Sequence, residues 1–152
     1  MYANIFAAPP WNETWTRADV QAEYEQVKQK PGFAGIAKVV QDKLVGFAWG
    51  YDVLTQNTNR VDFLTISERL ESNGIRANDT FYLADVGVLN EFRKQGIATQ
   101  MLKALIPQKQ FVCYRTKNPA MSAVFESAFG KTLCDFAEES AYVGGKVYVV
   151  RR

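Results

Sequence analysis

The chain has 152 residues, of which 47% are hydrophobic and 22% are charged, with a formal net charge of +2. These totals are typical of one ordinary domain with its own core, and the weak charge argues against nucleic acid as the main partner. The chain contains no histidine, which excludes Ser-His-Asp and Cys-His catalysis and histidine-based metal sites. We therefore expect a single domain over residues 1–152 without a metal.

The apolar pattern and the cysteines exclude further classes. No apolar run reaches the roughly 18 residues of a membrane span. The N-terminus also lacks a signal-peptide pattern, so we expect a cytoplasmic protein without a membrane partner. Cys113 and Cys134 lie in apolar, strand-like segments. This setting favours reduced core residues over a disulfide or a ligand set.

The N-terminal half predicts a helix, a hairpin and a second helix. Thr16 with an aspartate three residues later is typical of a helix N-cap, and Pro31-Gly32 ends that helix. Segments 35–41 and 44–52, joined at Asp42-Lys43, are rich in Val, Phe, Trp and Tyr, which predicts a β-hairpin. A polar connection at 53–60 and a helix at 61–72, stopped by Asn73-Gly74, follow in that order.

The central segment predicts an apolar strand, a short polar turn and a helix. The strand covers residues 81–89, and the helix opens on a turn that contains Arg93, Lys94 and Gly96. The first N–H groups of a helix have no partner inside it, so this turn is suited to binding an anion. Pro107 should end the helix. The apolar stripe of this helix consists of Ile97, Ala98, Met101, Leu102, Leu105 and Ile106.

The C-terminal part predicts one more helix between strands. A strand at 110–116 precedes Asn118, which with the following proline is typical of a helix start, and Gly130 ends that helix. Segments 131–136 and 141–150 should form an antiparallel pair. The order α-β-β-α-β-α-β-α-β-β predicts a mixed sheet with helices on both faces.

The segment from the central strand into its helix resembles the acetyl-coenzyme A signature of the GNAT acetyltransferases. In that signature, a strand ends in an aliphatic residue, and Arg/Gln-x-x-Gly-x-Gly/Ala then opens a helix. Val88 fills the strand end, and Arg93, Gly96 and Ala98 fill the loop. The resemblance implies an α/β fold with a mostly antiparallel sheet, in which two parallel central strands splay into a V. It also implies an N-acetyltransferase that uses acetyl-CoA.

One departure from the family concerns the N-terminus. The family usually has a β-strand before its first helix, and little room for one precedes the proline pair at 9–10. Residues 2–8 could supply a short strand. Otherwise residues 1–8 belong to the first helix and the sheet has a bare edge. A bare edge invites pairing with another chain, so we expect a homodimer or a missing first strand.

By resemblance, the pantetheine arm lies in the V and bonds the backbone of residues 86–88, while the pyrophosphate lies on the turn. Gly87 fits close ligand approach to a strand, although a bulge glycine without a ligand is the alternative. Asn118 matches a coenzyme-contacting asparagine of the family. The predicted coenzyme-binding residues are Val86, Gly87, Val88, Arg93, Lys94, Gln95, Gly96, Ile97, Ala98, Thr99, Asn118 and Phe125.

Acetyl transfer to an amine needs deprotonation of the ammonium, stabilisation of an oxyanion and departure of a thiolate. We assign the oxyanion to the backbone N–H of Val88. Asp85, in the middle of an apolar strand, is the candidate base or substrate anchor, because desolvation would raise its pKa. The alternative is a carboxylate paired with a nearby Lys or Arg, or one that faces solvent.

The family's usual general acid, a tyrosine, is replaced here by Phe125, which cannot donate a proton. Either Tyr114 or water protonates the leaving sulfur, or the thiolate leaves unprotonated, which a thiol pKa of roughly 8.5 allows.

The acceptor site should combine aromatic rings with carboxylates, which suit a cationic amine. A small amine, a peptide N-terminus and a lysine all remain open as acceptors. For Trp11 and Trp15, the alternative is that they only pack the N-terminal segment against the core. The predicted acceptor residues are Trp11, Glu13, Trp15, Trp49, Tyr51, Asp52 and Asp85.

Two rival functions are a non-catalytic acyl-CoA-binding sensor or partner module, which Phe125 favours, and a nucleotide-phosphate binder. The second rival would need a Walker-type loop or a Gly-x-Gly-x-x-Gly after the first strand, and the sequence has neither.

Overall fold

The structure is a computed structural model that describes residues 1–9, 11–53, 61–105, 109–116, 118–137 and 146–152. Its helices are α1 (Tyr2–Phe6), α2 (Arg17–Val27), α3 (Val61–Ser72), α4 (Ile97–Leu105) and α5 (Pro119–Phe129). Its strands are β1 (Ala34–Val40), β2 (Lys43–Asp52), β3 (Thr80–Val88), β4 (Phe111–Thr116), β5 (Thr132–Ala137) and β6 (Lys146–Arg151).

The six strands form one sheet in the order β1-β2-β3-β4-β6-β5. Among the described strands, only β3 and β4 pair in parallel, and the other neighbours are antiparallel. Leu102 of α4 and Phe125 of α5 are buried on one face, whereas Val27 of α2 and Leu70 of α3 are buried on the other. The expected fold class, a mixed and mostly antiparallel sheet with helices on both faces, is confirmed.

Local sequence signals place most element ends. The Thr16 hydroxyl accepts a hydrogen bond from the Asp19 N–H at 3.2 Å, and the Asp19 carboxylate accepts from the Thr16 N–H at 2.9 Å. This pair is the predicted capping box. Asn118 caps α5 by accepting from the Ala120 N–H at 3.1 Å. The hairpin turn consists of Gln41 and Asp42, both at positive φ, and so lies one residue earlier than predicted.

The N-terminal residues form neither a strand nor a part of the next helix. They form a separate helix, α1, because Tyr2, Ile5 and Phe6 have the spacing of one helical face and are buried against Phe47. Within the described residues β1 therefore has β2 as its only strand neighbour, which is the bare-edge alternative.

Some expected features lie outside the described residues. These are residues 54–60 of the polar connection, the helix end at Ile106 and Pro107, and residues 141–145 of the last predicted strand. Cys113 is buried and Cys134 partly buried, and both are free. None of the described helices is long and apolar enough to cross a membrane.

Candidate active site

The two parallel strands part in the middle of the sheet. Their pairing runs from Thr80 opposite Phe111 to Leu83 opposite Tyr114. Beyond that point β3 continues to Val88 with β2 as its partner in the described part of the chain. The gap that opens is the predicted V, and it leaves the β4-facing backbone groups at the end of β3 without a strand partner.

The alternation of backbone groups along β3 decides which N–H faces this gap. The Leu89 N–H donates to the Val45 carbonyl of β2 at 2.9 Å. Successive residues of a strand direct their N–H and C=O groups to opposite sides, so the Val88 N–H points away from β2 and toward the gap. The Val88 carbonyl lies on that side too, where it accepts a hydrogen bond from Arg93 Nε at 3.0 Å.

The turn after β3 is shaped by two residues in the left-handed region, Lys94 (φ 60°) and Gly96 (φ 75°). The Gln100 N–H donates to the Gly96 carbonyl at 2.9 Å, which starts the helical ladder of α4. The N–H groups of residues 97–99 therefore lack acceptors within the helix, and the helix dipole adds partial positive charge there. A Cβ built on Gly96 would meet nothing nearer than 3.9 Å, so there is space beside these N–H groups for a ligand.

Gly87 owes its lack of a side chain to packing. A Cβ there would lie 2.8 Å from the Phe47 ring and 2.9 Å from the Ile5 side chain. A glycine is needed at this position because α1 packs closely against the sheet there. The predicted alternative of a bulge glycine does not apply, since the bulge of β3 lies at Ala84. Coenzyme binding by its backbone stays a prediction.

A β-bulge turns Asp85 toward the opposite face of the sheet from Leu83. Trp49 pairs with Asp85, and its neighbour Gly50 pairs with Leu83, so Ala84 is an extra residue on β3. Leu83 packs on the α4 and α5 face. Strict alternation would place Asp85 there as well, but a bulge shifts the alternation by one residue. Asp85 consequently lies on the face that carries α1 and α2.

The Asp85 carboxyl lies beside two neutral donors. Trp49 Nε1 donates a hydrogen bond to it at 2.9 Å, and the Tyr2 hydroxyl lies close enough to lower its pKa. The net pKa of Asp85 is raised to about 7: burial is the largest cause, the Trp49 hydrogen bond lowers the pKa, and the negative charges of Glu23 and Glu13 raise it. Among the described residues, no Lys or Arg acts on the Asp85 carboxyl, so the alternative of a Lys or Arg partner is not seen there. A pKa near neutrality allows this carboxylate to accept a proton at physiological pH.

A pocket of about 480 Å³ opens beside Asp85 between α1, α2 and β2. Aromatic side chains form much of its wall, and Arg17 and Gln21 add polar groups. It is lined by Met1, Tyr2, Ala3, Thr16, Arg17, Val20, Gln21, Tyr24 and Trp49.

The geometry agrees with comparisons to known proteins. The GNAT acetyltransferase family model matches residues 4–130. This chain belongs to the GNAT acetyltransferase family. The resemblance inferred from Val88, Arg93, Gly96 and Ala98 is therefore confirmed. As a member, the protein is an acetyl-CoA-dependent N-acetyltransferase.

Solved structures agree on the fold of this acetyltransferase. The ribosomal-protein-alanine N-acetyltransferase of Brucella melitensis is 16% identical, with a TM-score of 0.65 over 99% of this chain and 88% of that one. Salmonella typhimurium YncA with acetyl-CoA is 14% identical, with a TM-score of 0.59 over 93% and 75%. Arabidopsis thaliana NAA60 with a bisubstrate analogue is 15% identical, with a TM-score of 0.58 over 94% and 85%. No curated protein sequence matches the chain.

Two residues predicted near the leaving sulfur are packed against each other in this acetyltransferase. The Phe125 ring is fully buried and stacks on the Tyr114 ring at 3.5 Å between centroids. The Tyr114 hydroxyl makes no hydrogen bond of standard geometry in the described chain, although Ser122 and Thr132 are near enough to lower its pKa against the effect of burial. Thr132 lies on β5, across β4 from the gap. The role of Tyr114 as general acid stays a prediction. It is not favoured, because Thr132, a neighbour of its hydroxyl, lies away from the gap where the sulfur would leave.

The predicted acceptor residues separate into two groups. Trp49 lines the pocket, and Trp11 and Trp15 pack against the α1 cluster, where Trp15 Nε1 donates to Glu13 at 2.8 Å. Tyr51 is buried and accepts from Lys30 Nζ at 3.1 Å. Asp52 pairs with Lys109 at 3.0 Å. Neither Tyr51 nor Asp52 is part of the pocket wall, and their role in the acceptor site stays a prediction.

Sequence reasoning missed the residues that α1 and α2 bring to the site, above all Tyr2. The helical spacing of Tyr2, Ile5 and Phe6 was the one signal that could have indicated α1. The approach of the Tyr2 hydroxyl to Asp85 depends on packing between elements more than eighty positions apart, which no local pattern indicates.

Proposed function

We propose that this acetyltransferase transfers the acetyl group of acetyl-CoA to a primary amine of a small molecule or peptide, with Asp85 as the base. The proposal rests on one observation: the end of β3 borders both the gap for the coenzyme and the pocket for the amine. Its backbone faces the gap between the parted strands at Val88, while Asp85, three residues earlier, lies beside the pocket.

The coenzyme would lie in the gap and on the turn that follows. When bound, acetyl-CoA supplies an acetyl group activated as a thioester. The open space beside Gly96 and the free N–H groups of residues 97–99 suit its pyrophosphate, and Lys94 adds positive charge on the same turn. The Arg93 side chain contributes differently, because its Nε bond to the Val88 carbonyl fixes the turn to the strand end. The Val88 N–H is then free to donate to an oxyanion.

Asp85 has the environment of a general base. Its raised pKa means that it is substantially ionised only near and above neutrality, and an ammonium that enters the pocket can lose a proton to it. For the leaving thiolate we propose water or departure without protonation, since Phe125 has no donor and the neighbours of the Tyr114 hydroxyl include Ser122 and Thr132.

The acceptor is proposed to be cationic before it reacts. The negative charges of Glu13 and Glu23 act on the Asp85 carboxyl, so negative potential is concentrated around Asp85. The rings of Tyr2 and Trp49 lie beside this carboxyl. Carboxylates and aromatic faces both attract an ammonium group. A small amine and a peptide N-terminus both satisfy this chemistry. A cytoplasmic location and a homodimer through the edge of β1 stay predictions.

The first experiment separates an enzyme from a binding module. Acetyl-CoA should raise the melting temperature more than ATP or NAD does, because only a ligand that binds the folded state stabilises it. Release of free CoA should then be measured with a panel of small amines and peptides. Coenzyme binding without CoA release for any amine would support the non-catalytic module instead.

The second experiment tests Asp85 itself. Asp85→Asn should lower kcat by roughly 10²–10⁴-fold, the range that general acid–base catalysis contributes, and should leave the affinity for acetyl-CoA unchanged. The matched control is Asp135→Asn, an exposed aspartate on β5 that pairs with Lys146. Unchanged turnover in Asp85→Asn would remove Asp85 from the mechanism.

A further inference from the structure

Two side chains, those of Tyr2 and Trp49, belong both to the pocket wall and to the surroundings of the proposed base. Tyr2 and Trp49 line the pocket, whereas Asp85 is not part of its wall. Trp49 Nε1 donates a hydrogen bond to the Asp85 carboxyl at 2.9 Å, and the Tyr2 hydroxyl lies close enough to that carboxyl to lower its pKa. A substrate amine in the pocket therefore meets Tyr2 and Trp49 before it meets Asp85.

Of these two donors, only Tyr2 can both give and take a proton. The indole N–H of Trp49 is a donor without an acceptor lone pair, whereas a phenolic hydroxyl donates and accepts. The Tyr2 hydroxyl can donate to Asp85 and still present a lone pair to the pocket.

The Tyr2 ring is held rigidly in this position. It is 8% exposed and stacks on Trp49 at 5.6 Å with an angle of 6° between planes. The ring also contacts Phe47 at 5.4 Å, and it meets Trp15 edge to face at 5.2 Å. Such packing fixes the hydroxyl between pocket and carboxyl without a side-chain rearrangement on each turnover.

We propose that Tyr2 is a proton relay between the acceptor amine and Asp85. The inference rests on the proposed function. In the relay, the phenolic O–H bond breaks as its proton passes to the Asp85 carboxylate, and an ammonium N–H bond breaks as its proton passes to the Tyr2 oxygen. The Tyr2 hydroxyl is restored, Asp85 becomes a neutral carboxyl, and the neutral amine keeps the lone pair that attacks the thioester.

The electrostatics around the pair favour this direction. Four groups from the elements packed around Asp85 influence its carboxyl. They are Tyr2 of α1, Trp49 of β2, Glu13 of the segment after α1, and Glu23 of α2. Burial, Asp85 and both glutamates raise the pKa of the Tyr2 hydroxyl, so a stable tyrosinate does not form. The proton therefore ends on Asp85. The cation Arg17 lines the same pocket from α2.

Tyr2→Phe tests the relay because it keeps the packed ring and removes only the hydroxyl. We expect kcat to fall about 10²–10³-fold at constant acetyl-CoA affinity. Tyr148→Phe on β6, at the other face of the sheet, is the matched loss of a tyrosine hydroxyl and should not change kcat. Turnover of Tyr2→Phe equal to that of the parent would overturn the relay while leaving the assignment of Asp85 intact.

The pH profile separates a relay from mere positioning of Asp85. With the relay broken, the rate should lose the inflection near neutral pH and should instead follow the deprotonation of the free amine. If Tyr2 only positions Asp85, the inflection persists and moves to higher pH, because the lost hydrogen bond had lowered that pKa. Persistence of the inflection would therefore refute the relay.

The double variant guards against a folding defect. Tyr2→Phe added to Asp85→Asn should lower turnover no further than Asp85→Asn does, because both changes interrupt one path. Losses that multiply would show that Tyr2 acts independently or through the fold, and would refute the relay.

A readout without any acceptor completes the test. Since the Trp49 indole bonds to Asp85, tryptophan fluorescence should titrate with the carboxyl in the parent, and Asp85→Asn should abolish that step. Tyr2→Phe should move its midpoint upward. An unmoved midpoint would contradict the Tyr2–Asp85 bond on which the relay depends, whatever the outcome for acetyl transfer.

Discussion

The two halves of the site differ in how far apart their parts lie in the sequence. The proposed coenzyme half consists of the end of β3, the turn at residues 93–96 and the first turn of α4, all within about a dozen consecutive residues. The proposed acceptor half combines Tyr2 from α1, Arg17 and Tyr24 from α2, Trp49 from β2 and Asp85 from β3.

This difference has a physical consequence for each half. A strand that leads into a helix presents free N–H groups wherever it occurs, so the coenzyme half depends mainly on backbone geometry. The proposed acceptor half depends on side chains from distant parts of the chain that meet across the fold, of which Tyr2 is buried. We expect substitutions in the coenzyme half to change ligand affinity, and those in the acceptor half to change proton chemistry and stability.

The largest expected effect on stability is at Asp85 and depends on pH. Its pKa rises from the ordinary 3.8 to about 7 on folding, so the folded state binds the proton more tightly. That contribution is present below pH 4 and is lost as the pH rises through about 7. Between about pH 5 and pH 8 the loss should be on the order of 2–3 kcal/mol.

Asp85→Asn should remove this loss, because an amide does not ionise. Urea unfolding of both proteins at the two pH values measures it, and the variant should gain stability relative to the parent as the pH rises. If the stability of both proteins changed with pH in the same way, Asp85 would have no raised pKa. The acceptor half would then not differ from the coenzyme half in proton chemistry.

An intermediate effect is expected at Gly96, in the coenzyme half. Gly96→Ala places a side chain at φ 75°, and Gly74→Ala does the same at φ 71°, with open space at both positions. Each should cost about 1–2 kcal/mol of stability. Only Gly96→Ala should weaken acetyl-CoA binding, by roughly tenfold, or about 1.4 kcal/mol.

Calorimetric titration with acetyl-CoA checks this pair of variants, and urea unfolding confirms that the strain is shared. Equal affinity in both variants would mean that the turn does not hold the coenzyme, and the backbone-based account of that half would fail.

The smallest effect is expected at Thr16, whose capping box begins α2 and whose side chain borders the pocket. Thr16→Ala should cost about 1 kcal/mol of stability. It should raise the KM for the amine slightly and leave acetyl-CoA binding alone. The exposed Thr14→Ala is the control. A matching change in coenzyme affinity would contradict the independence of the two halves.

Much of the fold was predictable because its signals are local. The capping box at Thr16, the cap at Asn118 and the strand-turn-helix at Gly96 each act within a few residues, so spacing alone indicates them. The short helix α1 was missed because a five-residue helix has little propensity of its own and is stable only against Phe47 and its neighbours.

The sequence by itself determined the family, the order of the elements after α1 and the strand, turn and helix around Gly96, because these signals lie between near neighbours in the chain. Only the tertiary structure decided the surroundings of Asp85. A single extra residue, Ala84, moves Asp85 to the opposite face of the sheet. The packing of α1 on that face then brings Tyr2 close to Asp85. Alternation along a strand carries no record of a bulge, since the bulge arises from pairing with another strand.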